Sequence, residues 1–228
     1  MNAEDFKNGQ VILIDKPLHW TSFQVVNKLR WSIRKKFNIK KIKVGHAGTL
    51  DPLATGLLII CTGKFTKTID QLQAETKEYT GSFTLGATTP SYDLETKVDN
   101  TFLTNHITEE KLNKITNLFI GEIEQIPPLY SAIKKDGIRL YELARKGETT
   151  SIKSRKITVF EFEITKIEMP LVYFKIVCSK GTYIRSLASD FGKALNSGAY
   201  LSSLRRTKSG DFKVENALSP LEYIKRFD

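Results

Sequence analysis

The residues best placed to do chemistry lie in the stretch VGHAGTLDPLATGLL, residues 44–58. A residue that precedes proline favours extended backbone, so Pro52 fixes Asp51 on a stiff, non-helical segment. The glycines around it let another backbone segment or a ligand approach closely. His46 stands five residues upstream, and apolar residues downstream exclude water. An isolated Asp-Pro pair usually forms a turn or caps a helix, but this neighbourhood favours a sequestered carboxylate with a chemical role.

A sequestered carboxylate needs a cation, because desolvation otherwise raises its pKa and leaves it protonated. Arg185, in the segment SKGTYIR at the predicted start of a helix, is the candidate partner of Asp51, and the alternative is an ordinary surface arginine. Tyr79 and Tyr183 are candidates for aromatic faces against a nucleobase. The alternative for each is a tyrosine that only packs in the core.

Several known catalytic motifs do not occur in the sequence. It contains no Walker loop, no Rossmann glycine fingerprint, no HEXXH, no paired CXXC and no nucleophile elbow. Nucleotide hydrolysis, hydride transfer, zinc chemistry and Ser-His-Asp catalysis therefore have no recognisable apparatus. What remains is a cofactor-free site with one aspartate. On the residues alone, two alternatives stay open: an enzyme that acts on nucleic acid, or an RNA-binding module.

The composition favours a basic globular protein. The 228 residues are 40% hydrophobic and 26% charged, and 35 Lys and Arg against 25 Asp and Glu give a net charge of +10, which attracts polyanions. Cys61 and Cys178 each lie in an apolar run, so we expect small buried hydrophobes and no disulfide. The N-terminus does not resemble a signal peptide, and no apolar run is long enough to span a bilayer. We therefore expect a cytoplasmic protein.

The pattern of elements predicts an α+β fold on a mainly antiparallel sheet flanked by helices. Thr21 and Gln24 form a capping box before a helix with one apolar and one strongly basic face. Thr108 caps a second helix that we expect to end at Gly121. Other predicted elements are strands in VILIDKP, TGLLIICTG and KEYTGSFTLG, a short helix in FTKTIDQLQ, a basic helix after a DG turn in EQIPPLYSAIKKDGIRLYELARKGE, a hairpin of ITVFEFEITKIE and LVYFKIVCS around Met169 and Pro170, a helix from Thr182, and a surface loop over residues 88–106. We expect a single domain over residues 1–228.

Several segments in this order closely resemble the TruB family of bacterial tRNA pseudouridine synthases, which isomerise uridine 55 in the T loop. They are LIDKP, GHAGTLDPLATGLL, KEYTGSFTLG, IPPLYSAIKKDGIRLYELAR, CSKGTYIRSLASDFG and LSSLRRT. The resemblance spans residues 11 to about 223. It implies the pseudouridine synthase fold, an isomerase that flips its target base, RNA bound across a basic cleft, and neither cofactor nor metal.

The resemblance also implies roles for six residues of this sequence. Asp51 matches the catalytic aspartate, and Arg185 the arginine that pairs with it. His46 matches the histidine that displaces and holds the target nucleotide. The three matches to residues that contact the substrate are Tyr79, which stacks on the flipped uracil, Tyr183, and Leu204, which precedes the Arg pair of SLRRT. Lys16 and Pro17 match a motif of structural role.

Three expectations concern RNA binding. The segment from about Ile126 to Gly147 resembles a mobile thumb that closes over the RNA. The resemblance includes no C-terminal PUA domain, which longer family members carry. We therefore expect the T arm to bind through the basic helix 24–37 and the basic residues around Arg205, with lower affinity and stronger dependence on salt than in those longer members. Relatives that act in guide-RNA particles carry that domain, so we expect a stand-alone monomer with a tRNA T stem-loop as its partner and no guide RNA, membrane or metal.

The reaction that the resemblance implies breaks the bond from C1′ to N1 of uridine and joins C1′ to C5, which needs no outside group. We expect Asp51 to act as nucleophile or as base at the sugar, and both alternatives stay open. A protein that works chiefly by binding or folding RNA is a second hypothesis, because the net charge of +10 alone suits that role.

Overall fold

A computed structural model describes residues 2–131, 133–135, 137–148 and 150–227. The predicted Asp-Gly turn falls in part on position 136, and the thumb-like segment includes positions 132 and 136, which lie outside the described residues. The helices are α1 (Ala3–Asn8), α2 (Ser22–Lys36), α3 (Ile69–Ala74), α4 (Glu109–Asn117), α5 (Leu140–Arg145), α6 (Ile184–Ala194) and α7 (Pro220–Lys225), with 3-10 turns at Gly63–Thr68 and Val214–Asn216.

The strands confirm the predicted α+β class, with a mixed and mostly antiparallel sheet. They are β1 (Val11–Lys16), β2 (Val44–His46), β3 (Ala54–Thr62), β4 (Lys77–Leu85), β5 (Ala87–Thr88), β6 (Asn100–Thr101), β7 (Gly121–Gln125), β8 (Lys134–Lys135), β9 (Ile138–Arg139), β10 (Arg155–Glu168), β11 (Leu171–Cys178), β12 (Ala199–Ser209) and β13 (Phe212–Lys213).

The chain divides into two compact units. Unit 1 comprises Met1–Thr80 and Leu204–Asp228, and unit 2 comprises Gly81–Ser203. The boundaries fall inside β4 and β12, so each unit contains part of both strands.

Unit 1 has the strand order β1-β3-β12-β4, with β2 beside β3 and β13 beside β12. β1 and β3 are antiparallel, whereas β12 runs parallel to β3 with Leu204 opposite Ala54 and Arg206 opposite Gly56. The inner residues of β3 are fully buried, as its continuous apolar run predicts. β3 is therefore a central strand, and the segment that leads into it contains Asp51.

The predicted capping box of α2 is confirmed. The Gln24 N–H donates to Thr21 Oγ1 at 3.0 Å, and the Thr21 N–H donates to the Gln24 side chain at 2.7 Å. Val25, Leu29 and Ile33 on one face are fully buried. The first turn of α2 is thereby fixed.

Unit 2 has the strand order β12-β4-β11-β10-β7. The predicted hairpin is confirmed, because β10 and β11 pair antiparallel from Val159–Cys178 to Glu168–Leu171 around Met169 and Pro170. Packed phenylalanines form the core, among them Phe83 and Phe174 with ring centroids 4.3 Å apart.

Some predicted boundaries are wrong. Thr108 does cap α4, since the Lys111 N–H donates to its hydroxyl at 3.2 Å. The helix ends at Asn117, however, and Gly121 begins β7 with a φ of 103°. A positive φ suits glycine both after a helix and at the entry to a strand, so the residue type alone does not separate the two. Within the part of the chain described here, no helix is long and apolar enough to cross a membrane.

Candidate active site

Asp51 lies on the segment between β2 and β3, and its flanking residues are held from several sides. The Ser22 hydroxyl donates to the Leu50 carbonyl at 3.0 Å and accepts from the Leu50 N–H at 2.8 Å. The His19 N–H donates to the Pro52 carbonyl at 2.8 Å. The Asp51 carbonyl itself accepts the Ala54 N–H at 3.0 Å. The half-buried side chain of Asp51 therefore starts from a backbone with little freedom.

Arg206 fixes the same segment from β12. Its side chain is 1% exposed, its Nε donates to the Leu57 carbonyl at 2.7 Å, and its Nη2 donates to the Gly48 carbonyl at 3.1 Å. A Cβ on Gly48, whose φ is 97°, would lie 3.3 Å from Arg206 Nη1. A Cβ on Gly56 would lie 2.3 Å from the Arg206 carbonyl oxygen. The expected close approach at the glycines is thus made by Arg206, which sequence reasoning did not single out for this role.

Lys16 places a positive charge in the electrostatic range of Asp51. Its side chain has no exposed surface, and its Nζ donates to the carbonyls of Pro17 at 2.9 Å and Trp20 at 2.6 Å. Burial lowers the pKa of Lys16 from 10.5 to about 8, against the opposing attraction of the Asp51 carboxylate. At neutral pH Lys16 is a buried cation that Asp51 helps to keep charged.

His46 ends β2 opposite Ile60 and is half-buried. Burial, and secondarily the charge of Arg206, holds the pKa of His46 below its ordinary 6.5. Its Nδ1 is buried and has no hydrogen-bond partner among the residues described. At pH 7 the imidazole is therefore neutral, with a ring nitrogen left for a ligand or a water molecule.

Tyr79 and Leu204 lie on two strands of unit 1. Tyr79, on β4, is 9% exposed, and Leu204, on β12 opposite Ala54, is half-buried. Next to Tyr79, the Glu78 carboxylate accepts from the Thr207 hydroxyl at 2.7 Å and from Lys208 Nζ at 3.1 Å. These contacts fix the entry of β4. The stacking role of Tyr79 stays a prediction.

Tyr183 is the N-cap residue of α6 in unit 2. The Gln125 side chain accepts from the Tyr183 N–H at 2.8 Å and donates to the Tyr183 carbonyl at 3.1 Å. The Arg155 guanidinium carbon lies 4.6 Å from the centre of the Tyr183 ring. Both the backbone and the ring of Tyr183 are thus oriented.

Arg185 follows in the first turn of α6 and is 4% exposed, so the alternative of a surface arginine is wrong. Its Nη1 donates to the Tyr130 carbonyl at 2.9 Å and to the Ser91 carbonyl at 3.4 Å. Its Nε lies 3.6 Å from an oxygen of the equally buried Asp93. Asp93 is therefore one carboxylate partner of Arg185 within unit 2, which the sequence reasoning missed. The pairing of Arg185 with Asp51 stays a prediction.

The model of the family described as TruB family pseudouridylate synthase, N-terminal domain, matches residues 34–184 of the chain. A "tRNA pseudouridine synthase B" of Flavobacterium johnsoniae is 63% identical over 96% of this chain and 96% of its own length. Its namesake in Phocaeicola vulgatus is 56% identical over 94% of this chain and 92% of its own length. Both relatives are matched over nearly their whole sequence.

Two solved structures share the fold. One is an H/ACA ribonucleoprotein bound to a substrate RNA containing 2′-deoxyuridine, with 30% identity and a TM-score of 0.69 over 96% of this chain and 53% of that chain. The other is a Cbf5–Nop10–Gar1 complex, with 34% identity and a TM-score of 0.68 over 96% of this chain and 54% of that chain. The chain thus spans about half the length of these two solved chains.

Proposed function

The chain belongs to the TruB family of pseudouridylate synthases, and on that premise we propose that it isomerises uridine 55 in the T loop of tRNAs to pseudouridine. The observation that carries this proposal is the restraint of Asp51. Ser22 holds the residue before it, and the buried Arg206 holds Gly48 and Leu57 around it. A catalytic group that is fixed before the substrate arrives needs little reorganisation during the reaction.

The isomerisation leaves the composition of the uridine unchanged. The bond between C1′ and N1 breaks, a bond between C1′ and C5 forms, C5 releases its proton to solvent, and N1 gains one. The Asp51 carboxylate acts at the sugar, either as a nucleophile at C1′ or as a base that takes a sugar proton. Lys16, with its pKa of about 8, is mostly charged at pH 7 and places a cation in the electrostatic range of Asp51.

The target base must leave the T loop before Asp51 can reach its sugar, and the lost stacking costs a few kcal/mol. We assign His46 to displacing and holding the target nucleotide, because its neutral ring carries a buried Nδ1 with no hydrogen-bond partner in the described part of the chain. We assign Tyr79 to stacking on the flipped uracil. Base–aromatic stacking of this kind is worth about 1 to 3 kcal/mol, which offsets much of the cost.

The remaining family residues complete the proposed site. Tyr183 contacts the substrate, Leu204 packs near it, and Arg185 pairs with the Asp51 carboxylate. The rigid setting of Tyr183 between Gln125 and Arg155 supports its assignment. We also propose that the 228 residues act as one catalytic domain, with the segment 126–147 as the thumb that closes over the RNA.

We propose further that the protein acts as a monomer on tRNA in the cytoplasm and without a guide RNA. The full-length match to relatives named for tRNA supports this assignment over one in a guide-RNA particle. The test is to incubate the purified protein with an unmodified T-arm stem-loop and to map pseudouridine chemically. Modification at position 55 without any guide RNA is expected, whereas modification that appears only with a guide RNA would contradict the proposal.

A second candidate function is RNA binding or folding that does not need the reaction, which the net charge of +10 favours. The Asp51→Asn variant separates the two in cells that lack the protein, because the substitution keeps the size of the side chain and the RNA-binding surface. Full rescue of growth by this variant would show that binding is sufficient. Failure to rescue, at equal expression, would assign the cellular role to isomerisation.

A further inference from the structure

The outward face of α2 carries aromatic rings among cations. Trp31 is 56% exposed, and the ammonium groups of Lys28 and Lys35 lie 5.8 Å and 4.9 Å from the centre of its ring. Two turns earlier, Phe23 is 62% exposed with the Arg30 guanidinium 6.0 Å from its ring. Residues eight apart differ by about 80° around a helix, so both rings lie on the exposed half of α2. A single exposed ring is ordinary, but a repeated pairing of ring and cation is typical of a binding face.

A shallow depression of about 370 Å³ adjoins Trp31 at the end of α2. It is lined by Trp31, Arg34, Lys35, Asn38, Ile39 and Lys40. Its outer wall is fixed, because Asn38 takes a φ of 48° and the Ile39 N–H donates back to the Arg34 carbonyl at 3.1 Å. This turn reverses the chain and places Lys40 beside the helix. The size is near the lower end of small-ligand pockets, which suits one nucleotide rather than a duplex.

The segment of chain that forms this face carries charges of one sign. Residues 17–50 contain eight Lys and Arg and no Asp or Glu. The carbonyl end of a helix carries roughly half a negative charge. The last turn of α2 places three cations, Arg34, Lys35 and Lys36, at this negative end of the helix. The face is therefore strongly positive despite the helix dipole, and a polyanion is its complement.

We infer that this face, the Trp31 face, binds a second nucleotide of the tRNA, whose base stacks on Trp31 while the neighbouring phosphates contact Lys35 and Lys40. The inference rests on the proposed function, since tRNA is its ligand. The aromatic ring favours RNA over an acidic peptide, because every nucleobase offers a flat face and an acidic side chain offers none. A base that stacks on Trp31 displaces the ammonium groups of Lys28 and Lys35 from the ring. The phosphates of the bound RNA then give these ammonium groups new partners.

The nucleotide on Trp31 is distinct from the target uridine. Ser22, at the start of α2, contacts the segment that carries Asp51. Trp31 lies nine residues further along the helix, which is about 14 Å at 1.5 Å per residue. The Trp31 face therefore adds affinity for the RNA without touching the reacting base, and its loss should raise KM and leave kcat unchanged.

Fluorescence provides a direct test, because the chain has only two tryptophans, Trp20 and Trp31. Titration with unmodified tRNA should quench the emission of the wild type, and most of that quenching should disappear in Trp31→Phe, which keeps an aromatic ring but not the indole. Trp31→Ala should raise the Kd for tRNA roughly tenfold, whereas Trp31→Phe should restore most of the affinity. Wild-type affinity in Trp31→Ala would overturn the inference.

A charge series tests the phosphate contacts. The double variant Lys35→Gln, Lys40→Gln should lower the slope of log Kd against log salt by about 1 to 2, since each neutralised phosphate adds about 0.7 to 0.9. The control is Lys114→Gln on α4, an exposed lysine on a helix that also carries Glu109 and Glu110, and it should leave the slope unchanged. Inorganic polyphosphate should bind without quenching Trp31. Equal quenching by polyphosphate and by tRNA would overturn the stacking part.

The failure of this inference can be told apart from a failure of the proposed function. If the wild type forms pseudouridine and Trp31→Ala binds tRNA as tightly as the wild type, only the Trp31 face is refuted. If the wild type forms no pseudouridine but tRNA still quenches Trp31, the nucleotide site stands and the reaction is refuted.

Discussion

The Ser22 hydroxyl engages both backbone groups of Leu50, accepting from its N–H at 2.8 Å and donating to its carbonyl at 3.0 Å. Both partners are buried, with Ser22 2% and Leu50 3% exposed. Leu50 directly precedes Asp51, so Ser22, the first residue of α2, fixes the backbone position from which the Asp51 side chain extends. A substitution at Ser22 should therefore lower kcat through the position of Asp51, without any contact between Ser22 and the substrate.

We predict that Ser22→Ala lowers kcat in a protein that still folds. The substitution leaves the N–H and carbonyl of Leu50 buried without their partner, which costs roughly 1 to 3 kcal/mol in the free energy of unfolding. Loss of alignment at Asp51 should lower kcat by about 100-fold. Pseudouridine formation under saturating RNA and urea unfolding measure the two effects.

The matched control for Ser22 is its neighbour Thr21. Thr21→Ala removes the side-chain cap of the same helix at a cost of about 1 kcal/mol, but Thr21 makes its capping bonds with Gln24 and not with Leu50. Its kcat should stay close to that of the wild type. Equal kcat losses in the two variants would show that helix stability, and not the position of Leu50, is what matters.

Lys16 should make the protein more stable as the pH rises from 8 to 10.5. Burial lowers the pKa of Lys16 from 10.5 to about 8 in the folded chain, so over this window the unfolded chain holds a proton that the folded chain has lost. Stability rises with pH wherever the unfolded state binds more protons. At 1.36 kcal/mol per pKa unit the gain is roughly 3 kcal/mol.

The quantity to measure is the free energy of unfolding of the wild type minus that of Lys16→Met. Urea titration at several pH values gives both free energies. The difference should be constant below pH 8, where Lys16 is charged in both states, and should then grow in favour of the wild type. All other titrating groups are shared by the two proteins and cancel. Parallel curves from pH 8 to 10.5 would show that Lys16 keeps an ordinary pKa.

Arg185→Lys should lose most turnover and keep RNA binding. The guanidinium of Arg185 donates to the carbonyls of Tyr130 and Ser91 and faces Asp93, and we propose that it also pairs with Asp51. A lysine is a point charge on a flexible stem and cannot serve several partners in one plane. Single-turnover rates and filter binding of the T-arm RNA separate the two quantities.

A control for this substitution is Arg226→Lys. Arg226 is exposed at the end of α7, outside the proposed site and the proposed thumb, so the change should leave turnover and binding unaltered. Unchanged turnover in Arg185→Lys would refute the proposed pairing with Asp51. A parallel loss of stability and turnover would instead point to the contacts of Arg185 with its neighbours in unit 2.

Local patterns predicted much of the fold and the central residue of the site. The capping box of α2, the hairpin around Met169 and Pro170, and the buried run of β3 depend on neighbours in sequence, and each of them is confirmed. Asp51 stood out for the same reason, because the proline and glycines beside it restrict its backbone.

The residues that hold Asp51 in place could not be found in this way. Arg206 contacts Gly48 and Leu57 from β12, about 150 residues later in the chain, and only the parallel register of β12 with β3 brings them together. The β12 segment mixes serines with basic residues, so it lacks the alternation that marks a strand. The contact of Ser22 with Leu50 likewise depends on how α2 packs, which no local pattern records.

The central claim is that Asp51 is the catalytic group, and its removal without loss of size tests this most directly. Tritium release from C5 of labelled uridine in a T-arm stem-loop should fall to background in Asp51→Asn, with RNA binding retained. Asp70→Asn on α3, an exposed aspartate of the same unit, should release tritium at the wild-type rate. Release by Asp51→Asn at a rate near that of the wild type would contradict the account.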